Sequence, residues 1–110
     1  MENLLNPTAE NLVTATAALE VAHTALAGAL NAEADARFAL DTARADALIA
    51  GVDGKNEAAR SAALDLQLAS ERQTAHAAEK VTREARAALA IAEARLTALR
   101  YQIRLLEVTK

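Results

Sequence analysis

Two long stretches of this sequence contain almost no residue that ends a helix. Between residues 8 and 50 only Gly28 interrupts, and residues 57–110 contain neither Gly nor Pro. Ala, Leu, Glu and Arg, which favour helices, fill both stretches, whereas aromatic residues make up only 2% of the chain, too few for the strands of a sheet. The sequence therefore predicts an all-α protein with a single domain over residues 1–110.

The start of the first helix is marked by the pair Asn6-Pro7. Asn caps a helix N-terminus well, and Pro fits the first helical position because its φ is already helical and it has no N–H to leave unpaired. These signals predict a first helix over about residues 7–50.

A glycine-containing segment separates the two stretches. Gly51 suits the left-handed position that follows a helix, and Asp53 or Asn56 can cap the next one. The sequence predicts a turn over about residues 51–56 and a second helix over about 57–108.

Leu and Ala recur at sevenfold spacing along both predicted helices, which is the pattern of a coiled coil. Because the connection is short, the two helices are predicted to form a long antiparallel hairpin, in which residues whose numbers sum to about 105 face each other. The predicted contact positions of the first helix are a Leu column (Leu5, Leu12, Leu19, Leu26, Leu40, with Glu33 and Ala47) and an Ala column (Ala15, Ala22, Ala29, Ala36, Ala43, Ala50). Those of the second helix are Leu64, Leu68, Ala75, Ala78, Ala85, Leu89, Ala92, Leu96, Leu99, Ile103 and Leu106.

A hairpin packed largely through Ala buries little apolar area, and several large apolar residues fall outside the contact positions. An exposed apolar patch usually marks an interface. We therefore expect self-association, most simply a dimer that forms a four-helix bundle; the alternative is a monomer that tolerates these residues. The residues predicted to carry self-association are Leu99, Tyr101, Ile103, Leu105, Leu106 and Val108. A second contact stripe is predicted from Val21, Phe38, Leu48, Ile49, Leu66 and Ile91.

Two glutamates, Glu33 and Glu71, interrupt the apolar columns. At the expected register they lie at nearly the same level, so they are predicted to form a polar core layer that fixes the register, with Glu33 paired to Arg37 and Glu71 to Arg72 or Gln67. A metal site in a helical bundle is the alternative, but the Glu-x-x-His spacing of such sites is missing.

The net charge is divided unevenly, at −6 over residues 1–54 and +3 over residues 55–110. The basic residues of the second half alternate with acidic ones, which predicts a solvated helix face, and aromatic platforms for stacking bases are missing. Nucleic-acid binding is therefore a secondary hypothesis. No membrane span and no leader are evident, so a cytoplasmic location is expected.

The sequence offers no pattern typical of catalysis or cofactor binding. There is no Cys for a nucleophile or a thiolate metal site, and Gly54-Lys55 lacks the upstream Gly of a phosphate loop. We expect neither an enzyme nor a bound cofactor.

The turn region Asp53-Gly54-Lys55-Asn56-Glu57-Ala58-Ala59-Arg60 resembles the "GKNxxxR" hairpin turn of small helical proteins of tailed phages and prophages. The resemblance implies a phage or mobile-element accessory protein, located in the host cytoplasm. It also implies that Lys55, Asn56 and Arg60 contact a host or phage protein at the hairpin tip. The alternative is local: Asn56 caps the helix and Arg60 pairs with Glu57 or Asp53.

Taken together, the sequence predicts a non-enzymatic helical assembly module that acts as a homo-oligomer. A nucleic-acid-associated accessory protein is the second hypothesis, and a metal-binding helical bundle is the third.

Overall fold

The computed structural model describes residues 8–108, and nearly all of them are helical. Helix α1 spans Ala9–Ala50, α2 spans Glu57–Gln67 and α3 spans Ala69–Val108. The predicted all-α class is confirmed. The predicted start signals at Asn6 and Pro7 lie outside the described residues, as does the predicted contact position Leu5.

Helix α1 begins two residues later than the sequence predicts, and its cap is a threonine. The side-chain oxygen of Thr8 accepts a hydrogen bond from the backbone N–H of Asn11 at 3.0 Å, which satisfies one of the N–H groups that the first turn leaves open. At its other end α1 stops at Ala50, and Gly51 adopts the left-handed conformation expected of it, with φ 91°.

The second predicted helix is interrupted at Leu68, where the sequence shows no Gly or Pro. Leu68 has φ −100° and ψ 9°, which departs from helical geometry. The i to i+4 pattern nevertheless continues, because the N–H of Leu68 donates to the carbonyl of Leu64 at 3.0 Å and that of Arg72 donates to Leu68 at 2.9 Å. The single predicted helix over 57–108 is therefore two helices. Leu68 is also one of the two largest fully buried side chains. The interruption therefore accompanies the packing of this side chain and not a helix-breaking residue.

The chain divides into two compact units. One consists of Ala29–Thr82, and the other of the residues up to Gly28 together with those from Arg83. The Ala29–Thr82 unit contains the loop and has a small core of Ala47, Leu64 and Leu68, against which Leu40, Ala43 and Val52 pack.

Within Ala29–Thr82 the helices run antiparallel on either side of the loop. Ala47 and Leu64 meet near the loop, and the hydroxyl of Thr82 reaches the carbonyl of Ala29 at the far end. The numbers of Thr82 and Ala29 add to 111, and those of Ala47 with the two leucines of its cluster, Leu64 and Leu68, add to 111 and 115. The register therefore differs from the expected 105 by six residues or more, or at least about 9 Å of helix. In both pairs a larger side chain lies opposite an Ala, which lets the helices approach closely.

The other unit pairs the first half of α1 with the second half of α3. Its buried residues are Asn11 and Ala22 from α1 and Ala92, Leu96 and Leu99 from α3. Apart from Asn11, all of them are predicted contact positions, so the sevenfold pattern identifies the packed faces correctly. Leu106, another predicted contact position, is exposed.

Helix α1 is long and apolar enough to cross a membrane, judged by length and composition alone. An 18-residue window reaches a mean hydropathy of 1.3, although only 11% of that window is buried inside the structure. Core helices of soluble proteins pass the same test. The expectation of no membrane span rests on the lack of an unbroken apolar run, and every 18-residue window of α1 contains at least one charged residue.

Candidate self-association surface

An open groove of about 430 Å³ runs between α1 and α3 in the unit formed by the residues up to Gly28 and those from Arg83. Six of its nine lining residues are Ala. Val21 and Ile91 also line the groove, one on each helix, with 69% and 54% of their surfaces exposed. Arg95 is the charged residue of the lining. The complete lining is Ala15, Ala18, Val21, Ala22, Ala25, Ala88, Ile91, Ala92 and Arg95.

The groove lies beside the contact face that holds the two helices together. Ala15, Ala22 and Ala92 belong to the sevenfold contact positions, whereas Ala18 and Ala25 form the column next to them. Because that neighbouring column is also small and apolar, the apolar surface of α1 continues from the buried face onto an exposed one. A surface of this kind is suited to packing against another helix.

The second contact stripe predicted from sequence is only partly assembled. All six of its residues are exposed, as predicted for positions outside the intramolecular contact, and two of them, Val21 and Ile91, line a common groove. Leu48 lines a different one, near the loop.

The predicted self-association set at the end of α3 needs one correction. Leu99 is 0% exposed, so it belongs to the core of its own unit and is closed to a partner. Its contact position is filled from within the chain because the observed register extends the pairing further along α3 than expected. Tyr101, Leu105, Leu106 and Val108 are exposed, and Ile103 is partly buried.

Ion pairs connect the helices of the Ala29–Thr82 unit. Arg37 donates to Glu33 at 3.2 Å within α1 and to Glu79 of α3 at 3.4 Å, so one guanidinium connects the two helices. Arg72 pairs with Asp65 at 2.8 Å across the interruption between α2 and α3. Ion pairs between partly exposed side chains contribute little free energy.

Glu33 and Glu71 do not form the shared polar layer that the sequence predicts. The predicted Glu33–Arg37 pair is present, but the observed register sets Glu33 level with Ala78 and Glu71 level with Leu40. Glu71 pairs with neither Arg72 nor Gln67: its Oε2 atom is buried and has no hydrogen-bond partner. The six-residue difference in register separates the two carboxylates along the helices.

The loop residues predicted to contact a partner have identifiable local roles. Asn56 caps α2, since its Oδ1 accepts a hydrogen bond from the N–H of Ala59 at 2.9 Å. Arg60, in the first turn of α2, packs closely against Gly54. A Cβ placed on Gly54 would lie 2.7 Å from the backbone N of Arg60 and 2.8 Å from its Cγ. Lys55 and Arg60 are exposed, and among the described ion pairs neither Glu57 nor Asp53 is a partner of Arg60.

The sequence-based interpretation missed two buried polar residues, Thr82 and Asn11. The Thr82 hydroxyl lies 3.3 Å from the carbonyl oxygen of Ala29 and 3.2 Å from that of Ala78, so it connects α3 to α1. Thr82 occupies a sevenfold contact position, seven residues after Ala75 and seven before Leu89, and this spacing was the available signal. Asn11 lies seven residues before Ala18, in the column next to the contact positions, so the same spacing was a signal there as well.

Residues 8–108 offer few features for binding a metal ion or a nucleic acid. No group of three or more His, Asp or Glu residues there is placed to hold a metal ion. The basic residues of α3 offer one small groove, lined by Thr97, Arg100, Tyr101 and Arg104. No protein-family model, curated protein or solved structure matches this chain, and the resemblance of its turn to phage proteins stays a prediction.

Proposed function

We propose that the protein is a helical assembly module that completes its core by packing against a second copy of itself, with the groove between Val21 and Ile91 at the interface. The supporting observation is that this apolar groove is open along two helices. Burying the exposed parts of Val21 and Ile91, 69% and 54% of their surfaces, contributes about 1–2 kcal/mol each.

The composition of the groove favours protein over lipid as its occupant. Helices that pack on one another in a bundle benefit from small side chains, because the backbones then approach closely. Lipid tails gain little from Ala, and Arg95 at the groove is costly to place in hydrocarbon.

Sedimentation velocity of the full chain over a hundredfold range of concentration tests the proposal. We expect a dimer at micromolar concentration and a monomer after Val21→Glu, because a carboxylate would replace apolar contact and lose its hydration at the interface. Val13→Glu is the matched control: Val13 is also 69% exposed on α1 but lines a separate groove. We expect this variant to remain a dimer.

Three results contradict the proposal. The first is a wild-type chain whose sedimentation does not change across the concentration range. The second is identical behaviour of the two glutamate variants. The third is a chain that floats with phospholipid vesicles and sediments as a monomer without them. The last result assigns the apolar surface of α1 to lipid.

A further inference from the structure

The charge distribution around the groove specifies how the second copy is oriented. Two helix segments line the groove side by side: α1 up to Gly28 and α3 from Arg83. A two-fold axis along the helices places each α1 segment against the α3 segment of the other copy. A two-fold axis across the helices instead places α1 against α1 and α3 against α3.

The two segments carry opposite net charge. From Thr8 to Gly28, α1 contains Glu10 and Glu20 and no Lys or Arg. From Arg83 to Val108, α3 has a net charge of +2, with the basic residues Arg83, Arg86, Arg95, Arg100 and Arg104 and the acidic residues Glu84, Glu93 and Glu107. Packing α1 against α1 therefore brings like charges together twice, whereas packing α1 against α3 brings opposite charges together twice.

Arg95 sharpens this choice because it lines the groove itself. If α3 packed on α3, two copies of Arg95 would approach each other at the edge of an apolar interface. If α1 packs on α3, the aliphatic stem of each Arg95 covers apolar α1 surface while its guanidinium lies beside the acidic segment.

We propose that the two copies pack with α1 of each against α3 of the other, so that Val21 of one copy meets Ile91 of its partner. This inference rests on the proposed self-association. It makes the interface isologous, with the same groove used twice, and it surrounds each acidic α1 segment with two basic α3 segments, one from its own chain and one from the other.

Disulfide cross-linking tests the orientation, because the chain contains no Cys. The single variants Val21→Cys and Ile91→Cys are given tags of different mass, unfolded and refolded together, and then oxidised. A disulfide needs Cβ atoms about 3.5–4.5 Å apart, so we expect the mixed Val21Cys–Ile91Cys product to exceed either like-with-like product by on the order of fivefold. The pair Ala27→Cys and Ala90→Cys is the control, since both residues are exposed and neither lines the groove. We expect little mixed product from that pair.

The outcomes separate this inference from the proposal on which it depends. Like-with-like products in excess would overturn the orientation while leaving self-association intact. A dimer in sedimentation that gives no groove cross-link would remove the groove from the interface and overturn the inference. A chain that sediments as a monomer and gives no cross-link would overturn both.

Discussion

Gly54 shows how one missing side chain organises the loop. The backbone and Cγ of Arg60 occupy the space where a Cβ on residue 54 would lie. We expect Gly54→Ala to lower the free energy of unfolding by about 1–3 kcal/mol, because the first turn of α2 must shift to admit a methyl group. Urea denaturation followed by circular dichroism measures this change.

Gly51→Ala is the comparison for the loop. Gly51 has φ 91° but open space around its Cα, so this variant bears conformational strain of about 1 kcal/mol without a clash. Equal stability of Gly54→Ala and the wild-type chain would show that the close approach to Arg60 has no energetic consequence.

Glu71 is expected to limit stability. One of its carboxylate oxygens is buried without a hydrogen-bond partner, at a contact position of α3. We expect Glu71→Leu to raise the free energy of unfolding by about 1–3 kcal/mol, since it removes an unsatisfied polar group and adds apolar contact.

Glu33→Leu provides the matched measurement, because Glu33 retains Arg37 as a partner. We expect a smaller gain there. A loss of stability in Glu71→Leu would mean that the carboxylate has a stabilising partner.

At the scale of single residues the sequence predicts local roles better than long-range ones. The left-handed Gly51, the cap at Asn56 and the pair between Glu33 and Arg37 depend on neighbours within four residues, so their sequence signals are sufficient. The isolation of Glu71 and the bond from Thr82 to Ala29 depend on the register between helices. A six-residue difference in that register changes the neighbours of every contact residue.

Between helices, Leu68 is the position where local geometry and packing meet. Its backbone interrupts the helix while its side chain, 2% exposed, packs with Ala47 and Leu64. We expect Leu68→Ala to cost about 2–5 kcal/mol, through the cavity it leaves and the lost apolar burial.

Leu66→Ala is the control two residues away, because Leu66 is 80% exposed. We expect that variant to differ from the wild-type chain by less than about 0.5 kcal/mol in urea denaturation. Similar losses in the two variants would show that the small core beside the loop is not a distinct packing unit.

The bounds of the helices follow from sequence where a residue type enforces them. Gly51 ends α1 as predicted, and Asn56, one of the two predicted cap candidates with Asp53, caps α2, because a left-handed residue and a side-chain cap are properties of those residues. The interruption at Leu68 has no such signal: Leu favours helix, and only the packing of the folded chain distinguishes this Leu from its neighbours.

For the whole molecule, self-association implies that stability depends on concentration. If the dimer is the stable form, each tenfold increase in protein concentration adds about 1.4 kcal/mol to its free energy of unfolding into separate chains. We expect the Tm of the wild-type chain to rise with concentration and that of Val21→Glu to stay constant, as measured by scanning calorimetry. A Tm independent of concentration in both would argue for a folded monomer.

The first half of α1 and the second half of α3 belong to one unit, and the loop belongs to the other. A pulling force applied at the two termini would therefore act on the pair of segments up to Gly28 and from Arg83 before it reached Ala29–Thr82. Because such a force separates two paired helices a few contacts at a time, we expect rupture in small successive steps at low tension. Within Ala29–Thr82, we expect the hydrogen bond from the Thr82 hydroxyl to the Ala29 carbonyl to be among the first to break.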